Sequence, residues 1–124
     1  GPFLLTQALA SLLADADGTG PGAVVANLSS EIGSLALRHE FRTPSYAIGK
    51  AAQNMGTVLL ARALAPRGIR VVALHPGWVR TDMGGPQAAV AADAAVTALL
   101  RVIDGLGPGD TGLFLDSRGQ AVAW

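Results

Sequence analysis

Cysteine is absent from this chain of 124 residues, which excludes disulfides and thiolate metal sites. Histidine is nearly absent. His39 and His75 are too few for a histidine-rich metal site, and each reads as a loop or structural residue. No metal is therefore expected. Charge is scarce and balanced: charged residues make up 15% of the chain, nine basic against nine acidic. This leaves no basic face for nucleic acid and no polybasic segment for a membrane surface. Long apolar runs are missing too, and none approaches the ~20 residues of a membrane span. The opening Gly1-Pro-Phe-Leu-Leu5 has no initiator methionine and no basic region before an apolar stretch, so it does not read as a signal peptide. Without targeting signals, the expected location is the cytoplasm.

What the chain does have is apolar material, at 50% of residues. The length allows at most one domain. The composition offers more core-forming surface than a free-standing domain of this size normally needs. Pro2 to Leu13 predicts a helix, since proline suits a first turn and Phe3, Leu4, Leu5, Leu9, Leu12 and Leu13 form a broad apolar face. Asp15 to Gly22 reads as a turn-rich loop. Ala23-Val-Val-Ala26 predicts a strand buried on both faces. An irregular stretch follows the strand, and Thr43-Pro44-Ser45 then offers a helix start with Ser45 as cap. The helix runs from Tyr46 to about Leu64 and is rich in small residues. Ile69 to Leu74 predicts a second strand, and His75 to Met83 a loop leaving its carboxyl end. Gln87 to about Leu106 reads as an alanine-rich helix, Gly112 to Leu115 as a third strand, and Asp116 to Gly119 as a turn. Strands alternating with helices predict an α/β fold with a parallel sheet and right-handed crossovers.

Ligands in such sheets bind at the carboxyl ends of the strands. Three segments converge on that rim: Asn27 to Gly33, the start of the helix at Tyr46, and His75 to Met83. Tyr46 and Lys50 are four residues apart, so in a helix they share one face. A free tyrosine has a pKa near ~10 and is a poor base at neutral pH, but a nearby cation favours the phenolate. The pair is thus a candidate proton-transfer device. Each piece also has a bland reading. Ser29 and Ser30 are placed to cap a turn, Pro76-Gly77 to form one, and Thr81 to cap a helix. Phe41, Trp78, Met83 and Trp124 suit either a substrate pocket or packing and partner contact.

The ordered set of Ser30 with Gly33 three residues on, Tyr46-Ala-Ile-Gly-Lys50 opening a helix, and Pro76-Gly-Trp-Val-Arg-Thr81 after a strand resembles the short-chain dehydrogenase/reductase family. The match runs along essentially the whole chain, and the ending from Gly112 to Trp124 is similar to that of sniffer-type carbonyl reductases and the C-factor group. The resemblance implies the C-terminal half of a Rossmann-type doubly wound parallel sheet, one partial catalytic region over residues 1–124. Ser30 would hydrogen-bond the substrate carbonyl or hydroxyl, which is chosen over Ser29 because Gly33 stands three residues after Ser30. Tyr46 would exchange a proton with that oxygen. Lys50 would assist Tyr46 and bond the nicotinamide ribose, with Tyr46 also touching the cofactor. Pro76 and Gly77 would pass close to the nicotinamide ring, and the Val79 backbone and Thr81 would hold its carboxamide. The implied cofactor is NAD or NADP, and the implied substrate a small-molecule carbonyl or alcohol.

The family's Gly-rich phosphate loop has no match. Gly18-Thr-Gly-Pro-Gly22 precedes a strand rather than following one and opening a helix. The residue that selects NAD or NADP is missing, as is the family's active-site asparagine. Roughly the first four strands are expected to be lacking, which leaves Ala23–Ala26 as a sheet edge. Two partners are therefore expected: a second copy of the chain, through the helices at Pro2–Leu13 and Tyr46–Leu64, or a complementing N-terminal half. Two functions follow. One is the catalytic half of a nicotinamide-dependent oxidoreductase. The other is a non-catalytic, truncated relative serving as an oligomerisation or binding module.

Overall fold

In the computed structural model, which describes residues 1–13 and 22–124, helices and strands alternate in the expected order. The loop expected over 15–22 lies outside the described residues except for Gly22. Gly22 has a φ of 72°, and a Cβ there would lie 2.1 Å from the Gly68 carbonyl oxygen, so only glycine fits. Helix α1 spans Pro2–Leu13, as predicted. Strand β1 (Val24–Leu28), β2 (Arg70–His75) and β3 (Phe114–Asp116) all end beyond their predicted limits. Helix α2 spans Pro44–Leu64 and α3 spans Ala92–Asp104. Short 3₁₀ turns occupy Glu31–Gly33 and Ala65–Arg67.

The three strands form one parallel sheet in the order β1-β2-β3. Leu28 lies beside Leu74, and His75 beside Asp116. The central strand β2 is buried from Arg70 to Leu74, and its side chains alternate between two cores. Val71 packs with Ala10, Leu60, Ala61, Leu64 and Ile69 on the α1–α2 side. Val72 and Leu74 pack with Leu99 and Leu115 on the α3 side. Helices on both faces of a parallel sheet are the doubly wound arrangement that the sequence predicts.

Two helix starts differ from expectation. Ser45 is not the cap of α2: it lies inside the first turn, after Pro44, and the capping position is Thr43. Thr43 makes no side-chain cap bond, and its φ of 47° is left-handed, a strained choice for a β-branched residue. Helix α3 begins at Ala92 rather than Gln87. Residues before it are taken by tertiary pairing, since Val90 bridges Val79, with Arg80 N–H donating to the Val90 carbonyl at 2.7 Å. Alanine-rich composition favours a helix there, but the backbone groups are already engaged.

The sheet edges differ. The outer edge of β1 has no strand partner among the described residues. The outer edge of β3 is covered by the chain's own turn, with Asp116 N–H donating to Gln120 at 2.9 Å and Val122 N–H to Phe114 at 2.8 Å. Trp124 stacks on buried Phe114 with ring centroids 5.2 Å apart, so of its two expected roles it takes packing. Within the turn, Asp116 Oδ1 accepts the backbone N–H groups of Arg118 and Gln120, both at 2.8 Å, and Oδ2 meets the Arg118 guanidinium at 3.2 Å. Burial by itself would raise the Asp116 pKa. The backbone donors Gln120 and Arg118, then the Arg118 side chain, outweigh it and hold the carboxyl below its usual range.

A depressed carboxyl pKa contributes stability above the unfolded value and loses it as pH falls through the folded one. The chain is therefore expected to lose stability relative to Asp116→Asn as pH drops below about 4. Denaturant midpoints measured across the acid range check this; parallel curves for the two proteins would count against it.

Candidate functional site

At the end of β1 the chain turns sharply. Ser29 N–H donates to the Leu74 carbonyl at 2.8 Å, which extends the β1–β2 ladder by one bond. Ser30 is extended and caps the 3₁₀ turn Glu31–Gly33, its Oγ accepting from Ile32 N–H at 3.2 Å. The turn-capping reading of Ser30 is thus realised, and the hydroxyl proton stays available to a ligand. Gly33 closes the turn against α2. A Cβ there would lie 2.7 Å from both the carbonyl carbon and the Cβ of Lys50, and 2.9 Å from Ala51 N. The Ser30–Gly33 spacing therefore has a packing cause: the serine caps the turn, and the glycine lets it touch the helix.

That contact brings the turn to the Tyr46–Lys50 helix. Tyr46 lies in the first turn of α2 and is 38% exposed. The Lys50 ammonium sits 5.8 Å from the Tyr46 ring centroid. It donates to the Leu28 carbonyl at 2.8 Å and to Gln53 Oε1 at 3.3 Å, while Gln53 Nε2 donates to the same carbonyl at 2.8 Å. Lys50 thus bridges the tyrosine ring and the end of β1. Partial burial lowers its pKa, because desolvation disfavours the charged form.

The third segment leaves β2. His75 Nδ1 accepts from Glu31 N–H at 3.4 Å, and its Nε2 lies 3.7 Å from the Glu31 carboxylate, so this strand end also touches the Ser30 turn. Pro76 follows, then Gly77 at a φ of 83°, a left-handed position suited to glycine. The bridge between Val79 and Val90 uses the Trp78 carbonyl and the Arg80 N–H, which leaves the Val79 N–H unused by it. The Trp78 indole donates to the Gly84 carbonyl at 2.9 Å. Thr81 Oγ1 accepts from Gly84 N–H at 3.1 Å. Thr81 therefore ties a turn rather than capping a helix, and its hydroxyl proton remains to donate. Trp78, Met83 and Phe41 are exposed.

Sequence reasoning missed the polar layer beneath this rim. Asn27, Ser29, Asn54 and Thr57 are all buried. Ser29 Oγ donates to Asn54 Oδ1 at 2.5 Å, and Asn27 Nδ2 to Thr57 Oγ1 at 2.9 Å. The available signal was spacing, since Asn54 stands four residues after Lys50. Cavities of about 480 Å³, beside Arg101, Val102, Leu113 and Arg118, and about 390 Å³, beside Phe3, Leu59 and Leu64, lie away from these groups. The candidate site is an open rim at the strand ends. Among the described residues no cluster of three or more His, Cys, Asp or Glu side chains is placed to hold a metal, and no helix is long and apolar enough to cross a membrane.

The chain is similar to known proteins. Residues 1–91 match the family model described as short chain dehydrogenase. The chain is 42% identical to the C-signal of Myxococcus xanthus, over all of this chain and 72% of that protein. It is 33% identical to the 1-hydroxy-2-glutathionyl-2-methyl-3-butene dehydrogenase of Rhodococcus sp. (strain AD45), over all of this chain and 54% of that protein. Among solved structures, carbonyl reductase Sniffer of D. melanogaster superposes with a TM-score of 0.94 at 34% identity, over 99% of this chain and 52% of that one. The NADPH-bound carbonyl reductase from chicken fatty liver superposes with a TM-score of 0.88 at 39% identity, again over 99% and 52%. The chain thus spans about half the length of these solved structures.

Two glycines of similar appearance are expected to respond oppositely. Gly33→Ala forces the turn off α2 and is expected to cost about 1–3 kcal/mol. Gly49→Ala, inside α2 with nothing within 4 Å of the added Cβ, is expected to stabilise by about 0.5–1 kcal/mol. Equilibrium denaturation measures both, and equal effects would refute the packing role of Gly33.

Proposed function

The chain belongs to the short-chain dehydrogenase family, and from that membership we propose that it provides the substrate-activating half of an NAD(P)-dependent oxidoreductase that interconverts a carbonyl and an alcohol. The observation that carries this reading is the approach of Gly33 to Lys50, which sets the Ser30 turn on the helix bearing Tyr46. A bound nicotinamide supplies the hydride. The residues suited to it are Tyr46 and Lys50 on one side and Pro76, Gly77, Val79 and Thr81 on the other. The fit rests on a partly desolvated ammonium, a glycine that presents no side chain, an unused Val79 N–H and a free hydroxyl proton.

The chain's own residues handle the oxygen and its proton. Ser30 donates to the substrate oxygen and orients it. Tyr46 delivers a proton to that oxygen during reduction and removes it during oxidation. Negative charge develops on the oxygen as the carbonyl is reduced, so a positioned donor lowers the barrier. Lys50 offsets the charge left on Tyr46 once its proton has gone. The pyrophosphate calls for a Gly-rich loop opening a helix, and no such unit occurs among the described residues. We assign it to the remaining portion of the fold, whether that stands in a longer chain or in a complementing one.

A second reading, that of a non-catalytic binding or oligomerisation module, draws on a different observation. Leu4, Leu5 and Leu12 of α1 and Met55 and Leu59 of α2 are all at least half exposed. Such a surface suits a second copy of the chain. Cofactor binding separates the readings. NADH and NADPH titrations followed by nicotinamide fluorescence are expected to show binding once an N-terminal strand-helix half is supplied; no binding in that state supports the module.

In the completed protein, Tyr46→Phe is expected to lower kcat for carbonyl reduction about 10²–10⁴-fold with cofactor affinity kept. Undiminished turnover would falsify the proton-transfer role. The lowered Lys50 pKa adds a pH signature. Its charge is lost at a lower pH than that of a free lysine, so turnover is expected to fall on the alkaline side before the usual lysine range. A pH profile with no decline short of that range would remove Lys50 from the mechanism.

A further inference from the structure

We propose that Asn54 is a positioning residue that locks the Ser30 turn onto the helix carrying Tyr46 and Lys50; this rests on the reading of Ser30 as the group that holds the substrate oxygen. Asn54 is 4% exposed. Its Oδ1 accepts from the Ser29 hydroxyl at 2.5 Å, and its Nδ2 donates to the Gly33 carbonyl at 3.4 Å. Ser29 immediately precedes Ser30, and Gly33 ends the turn that Ser30 caps. One amide thus grips the turn on both sides of the reactive serine. Only an amide side chain of this size both donates and accepts from one planar fork; an aspartate lacks the donor and a leucine lacks both.

Tyr46, Lys50 and Asn54 stand four residues apart in succession, which puts them on one stripe of α2. The stripe carries a proton donor, a cation and a clamp. Deeper in the same layer, Asn27 donates to Thr57, whose hydroxyl donates to the Gln53 carbonyl at 3.1 Å. Both ends of the clamp are therefore buried among satisfied polar groups. A fully satisfied buried network allows one arrangement, because breaking any member strands the others without water. The helix then sets where the Ser30 hydroxyl stands relative to the Tyr46 hydroxyl.

The test uses the whole chain with Asn54→Leu, Asn54→Asp and Ser29→Ala. Amide exchange is measured at Ile32 and Gly33, whose N–H groups bond Ser30, without cofactor or substrate. kcat and KM are then measured for NADPH-dependent carbonyl reduction in the completed protein. In Asn54→Leu the Ile32 and Gly33 amides are expected to exchange at least about tenfold faster while Val72 in β2 keeps its protection. kcat is expected to fall about 100-fold with the cofactor KM unchanged. Asn54→Asp, which keeps the acceptor, is expected to fall between. Unchanged exchange at Ile32 and Gly33 in folded variants overturns the proposal, as does a loss of kcat that follows only the unfolded fraction. Should Asn54→Leu fail to fold, Ser29→Ala removes a single hydroxyl and carries the same readouts. Lack of reductase activity in the completed parent protein would sink the proposed function, while the exchange measurements alone would still decide the role of Asn54.

Discussion

A turn without a side chain meets a helix at Gly33, and the candidate site depends on that contact. Any Cβ at Gly33 would stand 2.7 Å from the Lys50 backbone, well inside van der Waals contact. The approach lets Asn54 reach the Gly33 carbonyl and the Ser29 hydroxyl together. It also sets Lys50 close enough to hold the Leu28 carbonyl at the end of β1. Ser30, Tyr46 and Lys50 are thus positioned by one close-packed seam between a strand end and a helix, and not by three independent loops.

The sheet supplies the rest of the geometry. Leu28 and Leu74 are register partners, so Ser29, just past β1, stands beside His75, the last residue of β2. The segments that follow emerge on one rim because parallel strands end on the same side. β2 can hold that register firmly because it is buried on both faces, with Val71 facing one core and Val72 and Leu74 the other. Thr43 shows a cost of the arrangement. A β-branched residue held at positive φ just before α2 is strained by about 1–3 kcal/mol. The irregular stretch from the Ser30 turn must reach the start of α2, and its last residue absorbs the bend.

What was legible in the residues and what was not divides along physical lines. Local signals read well. Pro2 and the apolar face predicted α1 with its observed limits, and the apolar runs predicted three strands displaced by a residue or two. The Tyr46–Lys50 pair and the Ser30–Gly33 spacing marked two segments that the fold brings together. Features set by distant partners did not read. Residues 87 to 91 look helical, yet Val79 claims Val90 through the backbone, and no composition signals that. Asn54 and Thr57 look like polar positions on a solvated helix face. They are buried because Ser29 and Asn27 of β1 offer them partners, and such pairing is invisible until the strand is laid on the helix. Nothing in the residues around Trp124 decides between pocket and packing; its stack on Phe114 does.

The two edges of the sheet bear on function through the same geometry. At β3 the chain's own turn takes up the outer backbone groups, with Asp116 bonding both Arg118 and Gln120 to hold it shut. At β1 the described residues provide no such cover. A strand added in parallel to β1 would end on the same rim as Ser30, because β1 itself does. The loop and helix following that strand would therefore open beside the Ser30 turn and the start of α2. A segment that pairs with this edge would thus also stand beside the proposed site. Sheet completion and the proposed site fall at one boundary, so Ser30, Tyr46 and Lys50 are held from one side by the Gly33 contact while the other side is open to an added strand.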